Sequence, residues 1–202
     1  MNKTQIDWPR LDYTWNPVVG CKHNCYYCYA KKMNDRFKWI PDWKEPKFFS
    51  ERLVEPYRLR KPSIIFVGSM CDLFGSWVDR NWIGRIIKVA ADNPEHQFMF
   101  LTKNPKGYFH TYFPKNCLLG LTLTGQESDI NNRLDGFSMN QPTNYRFVSI
   151  EPLLGSFERV SLTAINLVIV GAMTGRGAIK PKREWIKSIK HPNIHYKSNI
   201  KL

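Results

Sequence analysis

Residues 63–103 read SIIFVGSMCDLFGSWVDRNWIGRIIKVAADNPEHQFMFLTK, and this stretch decides the fold. "SIIFVGS" (63–69) and "HQFMFLTK" (96–103) are short apolar runs rich in β-branched and aromatic residues, as buried strands are. Between them, in "DRNWIGRIIKVAADNPE" (79–95), Trp82, Ile83, Ile86, Ile87 and Ala90 recur at helical spacing. Asp79 is placed to cap the helix start, and Asn93-Pro94 to stop it. A crossover of this length joins parallel strands, and the unbroken apolar runs imply strands covered on both faces.

The rhythm continues outward. "CLLGLTLT" (117–124), "YRFVSIE" (145–151) and "NLVIVGAM" (166–173) read as further buried strands. Segments 104–114, 125–137 and 181–192 are long enough for crossover helices, the last with Trp185, Ile186 and Ile189 on one side. A first strand near "YTWNPV" (13–18) and a helix after Cys28 bring the count to six βα units. No repeat, low-complexity tract or linker divides the chain, so a single domain over 1–202 is expected, with an aromatic and basic insertion near 36–60. A complete eight-unit barrel typically takes about 250 residues. In a chain of 202 residues, six units predict an α/β fold of the partial (β/α)6 TIM-like barrel type, on a parallel sheet.

Lysine and arginine number 30 against 17 acids, a formal net charge of +13, so the summed field favours anionic partners such as nucleic acid. The opening "MNKTQIDWPRLDYTW" has no apolar run of signal-peptide length, and no later run approaches a membrane span, so a cytoplasmic protein with no membrane partner is expected. In that reducing compartment an odd count of five cysteines points to metal or redox use rather than to a disulfide framework.

In parallel α/β folds the chemistry gathers where strands end and loops begin. Those ends carry "GSMCDLFG" (68–75), "LTKNP" (101–105), "LTLTGQE" (121–127), "SIEPLLG" (149–155) and "GAMTGRG" (171–177). After the first strand comes "CKHNCYYC" (21–28), in which Cys21, Cys25 and Cys28 have the spacing C-x3-C-x2-C. Three thiolates from one loop can hold three irons of a cubane. A cluster usually takes four cysteines, so three leave an open position of the kind a catalytic site needs. Zinc is the competing metal, with His23 or a distant group as fourth ligand. Structural zinc sites more often pair two C-x2-C hooks, and here Cys71 and Cys117 stand alone.

"CKHNCYYC" resembles the cluster loop of radical S-adenosylmethionine enzymes, C-x3-C-x-aromatic-C, with Tyr27 in the aromatic position. Taken with "TWNPVVGC", "CYYCYA", "GSMCDLFG", "FLTKNP", "RFVSIEPLLG" and "VIVGAMTG", the chain from about Trp15 to Trp185 is similar to a radical-SAM-like three-Cys-motif family of phage and mobile-element proteins, catalogued as a domain of unknown function. The resemblance implies a 4Fe-4S cluster whose unique iron chelates S-adenosylmethionine. One electron from an external donor would cleave the sulfonium to methionine and a 5′-deoxyadenosyl radical, which abstracts a hydrogen atom from substrate.

On that resemblance Cys21, Cys25 and Cys28 would ligate iron and Tyr27 would pack near adenine. Gly68, Ser69 and Met70 would receive the methionine amino group, although they depart from the glycine-glycine-glutamate form common in the superfamily. Thr122 and Thr124 are candidates for the ribose hydroxyls, against ordinary strand content. Gly171 is a candidate for close approach to adenine, against a plain turn.

Lys103, Glu151, Cys71 and Asp72 are candidates on the substrate side. A glutamate ending a buried run calls for a ligand or a lysine partner from a neighbouring strand. Cys71 reads as a hydrogen-atom donor or as a small buried residue. The insertion interleaves Trp39, Trp43, Phe48 and Phe49 with lysines, which suits nucleic acid, a partner protein or a flap over the barrel. Two classes therefore stand open: an enzyme acting on nucleic acid, a nucleotide-like molecule or a protein, and an iron-sulfur or zinc-containing binding protein without catalysis, working with the partner protein that often accompanies the family.

Overall fold

The computed structural model describes residues 1–109, 111–139 and 143–201. In chain order its elements are β1 (Asn2–Lys3), β2 (Tyr13–Trp15), β3 (Val18–Val19), α1 (Tyr29–Phe37), β4 (Lys47–Phe48), β5 (Ile64–Val67), α2 (Arg80–Asp92), β6 (Gln97–Thr102), β7 (Cys117–Leu123), α3 (Ile130–Met139), β8 (Arg146–Ile150), β9 (Leu167–Val170), α4 (Arg183–Ser188) and β10 (Ile194–Tyr196). One eight-stranded sheet has the order β1-β2-β5-β6-β7-β8-β9-β10. From β2 onward every neighbouring pair is parallel, while β1 lies antiparallel on the edge. The α/β fold on a mainly parallel sheet is thus the one expected from 63–103.

The stretch that decides the fold forms as its chemistry requires. The Asp79 carboxylate accepts from the Asn81 N–H at 2.8 Å, satisfying one of the free donors at the start of α2. Ile83, Ile86, Ile87, Val89 and Ala90 then form the buried face of α2.

Alternate residues of the strands feed two apolar layers. Ile65, Val67, Phe98, Phe100, Leu119, Leu121, Val148 and Val170 join the layer shared with the helices. Phe66, Met99, Phe147, Leu167 and Ile169 form the other layer, around Trp8. The Trp8 ring lies 4.6 Å from Phe66 on β5 and 5.6 Å from Phe147 on β8, centroid to centroid. A single side chain can bridge strands three places apart only if the sheet curls around it. Trp8 is thus the plug of a partial barrel, and a Cβ at Gly120 would run into the Phe147 ring inside that narrow bore.

The structure corrects several expectations. Segment 104–114 holds a 3-10 turn, Pro105–Tyr108, instead of a crossover helix. Prolines at both ends restrict it, and its buried rings Tyr108 and Phe113 are five apart, off helical register. No helix joins β8 to β9 among the described residues, so the strict six-unit repeat is not kept. A seventh parallel strand, β10, pairs with β9. "YTWNPV" breaks at Asn16-Pro17 into β2 and β3, and β3 pairs with β4 of the insertion in a small second sheet. Within that insertion Trp43 is buried, and Phe48 stacks on Trp82 at 5.4 Å and is half-buried there. Among the described residues no helix is long and apolar enough to cross a membrane.

Candidate cofactor and substrate cavity

A cavity of about 460 Å³ opens at the carboxyl ends of the parallel strands. Cys21, Cys25, Tyr27 and Cys28 line one side, and Gly68, Ser69, Cys71, Lys103, Thr122 and Glu151 complete much of the wall. Motifs from five strand ends and the cysteine loop therefore meet in one place, as expected from the sequence of a parallel α/β fold.

The cysteine loop is held from both flanks. Gly20 adopts φ +111°, and a Cβ there would stand 2.9 Å from Ile40, Trp43 and Pro46, so glycine is required on both conformational and steric grounds. The Gly20 N–H donates to the Met70 carbonyl at 3.0 Å and the Cys21 N–H to the Trp43 carbonyl at 2.9 Å. Cys28 caps α1, its sulfur accepting from the Lys31 N–H at 3.3 Å. Next to the loop, Asn16 Oδ1 accepts from Ser69 Oγ at 3.1 Å and from the Met70 N–H at 3.0 Å, while the Tyr29 hydroxyl donates to the Ser69 carbonyl at 2.6 Å. Segment 68–70 is thereby fixed beside the thiols.

Asp72 is a buried junction. Its Oδ2 lies 2.6 Å from His23 Nε2 and accepts from the Lys103 N–H at 2.9 Å. Its Oδ1 accepts from Thr102 Oγ1 at 2.6 Å and from the Phe74 N–H at 3.2 Å. One carboxylate so joins the cysteine loop to the ends of β5 and β6. Lys103 in turn places its Nζ 3.0 Å from the Tyr27 hydroxyl.

Glu151 faces the same cavity from β8. Oε1 accepts from Lys197 Nζ at 2.6 Å; Oε2 accepts from Trp8 Nε1 at 2.7 Å and from Ser149 Oγ at 3.0 Å. An ion pair, one of the two readings of this glutamate, is therefore present within the cavity wall, although its lysine follows β10, two strands away, instead of coming from an adjacent strand. A Cβ at Gly171 would lie 2.6 Å from Glu151 Oε1 and 2.9 Å from Lys197 Cδ. That glycine makes room for the pair and is not itself among the residues lining the cavity.

All five cysteines are free. Burial pushes the Cys21 thiol up to about 11, and burial likewise raises Cys28 and Cys71. Such thiols ionise when a metal supplies the compensating charge. No group of three or more His, Cys, Asp or Glu among the described residues converges closely enough to hold a single metal ion. His23, weighed as a zinc ligand, has its Nε2 engaged by Asp72.

Other candidate residues lie further off. The Met70 side chain packs with Val19, Ala30, Ile40 and Trp43, leaving its backbone nearest the site. Thr124 gives its N–H and hydroxyl to the Glu127 carboxylate in a tight turn, at 2.9 and 3.0 Å. Cys117 is buried at the opposite end of its strand. Sequence reasoning missed Trp8, Asn16, Ser149 and Lys197. Lys197 sits in a lysine-rich tail with no distinguishing pattern, and Trp8 in "IDWPR" is as unmarked.

A partly closed parallel α/β barrel with this cavity at its rim is a known architecture. The chain superposes on a solved structure of a spore photoproduct lyase mutant, described as holding bound AdoMet and dinucleoside spore photoproduct, with TM-score 0.56 and 10% sequence identity. The match covers 75% of this chain and 48% of that one, so the chain spans about half the length of this structural relative. At that identity the likeness establishes the fold. Residues 3–197 match the family described as "Protein of unknown function (DUF5131)", and the chain belongs to that family. No protein of curated function matches it.

Proposed function

We propose that this protein is a radical S-adenosylmethionine enzyme, with Cys21, Cys25 and Cys28 holding a 4Fe-4S cluster. The observation that carries the reading is the convergence of three free thiols from one loop on the wall of a cavity at the barrel rim. Their donor chemistry fits a cluster, in which cysteine thiolates from one loop are shared among several irons. Likeness to a radical SAM fold, solved in that relative with bound AdoMet, supports S-adenosylmethionine as the co-substrate. When bound, the cluster supplies one electron to the sulfonium.

The chain's own residues position and shield. Asn16 and Tyr29 fix the 68–70 backbone beside the thiols, where the methionine end of the co-substrate would be received. Tyr27, held by Lys103, forms a wall for adenine, and Thr122 is available to a ribose hydroxyl. Trp8 packs in the bore against Phe66 and Phe147 and forms part of the cavity wall. The net charge of +13 favours an anionic substrate, with Lys103 and Lys197 in the cavity wall. An external donor would provide the electron.

Anaerobic reconstitution tests the proposal. Wild type should take up about four irons and four sulfides and, with reductant and S-adenosylmethionine, form 5′-deoxyadenosine; Cys25→Ala should form none. A full cluster without cleavage product would favour the binding reading, and a colourless protein with one zinc would sink the proposal.

A further inference from the structure

One face of α1 carries an apolar stripe of which the fold engages only the first residue, the Tyr29 hydroxyl donating to the Ser69 carbonyl at 2.6 Å. Tyr29, Met33 and Phe37 are spaced i, i+4, i+8 and are 48%, 39% and 52% exposed, while Ala30 and Asn34, on the row beside them, are buried. The stripe starts at the cavity, which Tyr29 lines, and runs roughly 12 Å along the helix. It ends at Trp39, 43% exposed, whose ring stacks on Phe37 at 5.3 Å and 21°.

Cations flank these rings. Lys32 and Arg36 are each three positions after a stripe residue and so occupy the adjoining row; the Arg36 guanidinium lies 5.1 Å from the Phe37 ring centre. Lys32 approaches the loop after β9, its Nζ 3.5 Å from where a Cβ on Gly175 would stand, beside exposed Arg176. Lys32, Arg36 and Arg176 have no acidic partner among the described residues, unlike Lys31, which pairs with Asp35 at 2.8 Å. Exposed rings bordered by unpaired cations match a strand of bases linked by phosphates. A purely apolar partner would leave the cations unpaired, and a closed duplex would keep its base faces from the rings.

We infer that this face binds single-stranded nucleic acid, with bases stacking on Phe37 and Trp39, phosphates meeting Lys32, Arg36 and Arg176, and the strand leading past Tyr29 into the cavity. The inference names a substrate class for the activity proposed above and rests on that reading for the chemistry, while the docking itself does not.

The test is fluorescence anisotropy of a labelled mixed-sequence oligonucleotide with the reconstituted full chain, without S-adenosylmethionine, so that absent cleavage chemistry cannot be mistaken for absent binding. The single strand should bind more tightly than the same sequence as duplex. Phe37→Ala with Trp39→Ala should weaken it by about tenfold or more, and Arg36→Ala should lower the slope of log affinity against log salt by about 0.7. Lys88→Ala, on α2, should change neither. All these residues are exposed, and unchanged thermal melting will show that the variants fold. Equal affinity for duplex, indifference to loss of the rings, or no binding at low salt overturns the inference. So does a dimer or protein complex that forms through this face and dissociates on Trp39→Ala.

Discussion

Two carboxylates face one cavity, Asp72 buried and Glu151 half-buried, and they are satisfied in opposite ways. Asp72 takes its partners from nearby strand ends and the cysteine loop: Thr102, Lys103, Phe74 and His23. Glu151 takes Ser149 from its own strand, but Trp8 and Lys197 from segments 143 and 46 residues away. The first junction orients the loop that bears the thiols; the second ties remote ends of the chain across the barrel. A single wall therefore combines a positioning device with a closing device, and the two should fail differently.

The largest effect is expected at Asp72. Asp72→Ala strips an acceptor from four donors at a buried side chain and should cost about 3 kcal/mol in urea unfolding. Iron uptake per folded chain should fall as well, because His23 no longer anchors the cysteine loop. A stability loss with unchanged iron uptake would show that the junction does not position the thiols.

Breaking the other junction should be milder and leave iron uptake intact. In a double-mutant cycle of Glu151→Gln and Lys197→Met, the coupling should be about 1–2 kcal/mol, since glutamine still accepts from Trp8 and Ser149. A coupling near zero would mean that the pair at 2.6 Å contributes no net stability.

The smallest effect is a pH dependence beside the closing device. The Asp7 carboxyl is held below its ordinary 3.8, first by the Ser198 backbone N–H and then, against the opposing effect of burial, by His195. A lowered folded value means that its contribution to stability is present above pH 3.8 and is lost as pH falls through that lowered value. Asp7→Asn should therefore flatten the acid limb of a melting-temperature profile taken between about pH 2 and 5. An unchanged limb would assign acid sensitivity to other carboxylates.

The same contrast explains what could be read from the sequence. The strands of the barrel are uninterrupted apolar runs, and α2 announces itself by period and cap, so local chemistry dictates them. The strand β10 reads "IHY", half-exposed and without an apolar run, and its place is set by pairing with β9. Asp72 and the three cysteines could be picked out because they crowd into polar motifs next to strand ends. Trp8 and Lys197 have no local signature, since what gives them meaning is a partner more than forty positions away. The aromatic insertion was only half legible: packing claims Trp43 and Phe48, and the exposed stripe lies mostly on α1.

The placement of Trp8 also bears on the order of assembly. During synthesis this indole emerges long before either Phe147 or Glu151 exists, so it must wait, unsheltered, until most of the staves have been made. Loops of that span close late and at an entropic cost. The barrel should therefore form as an open trough that shuts in its final step, and a nascent chain stalled before residue 147 should expose Trp8 to quenchers and chaperones alike.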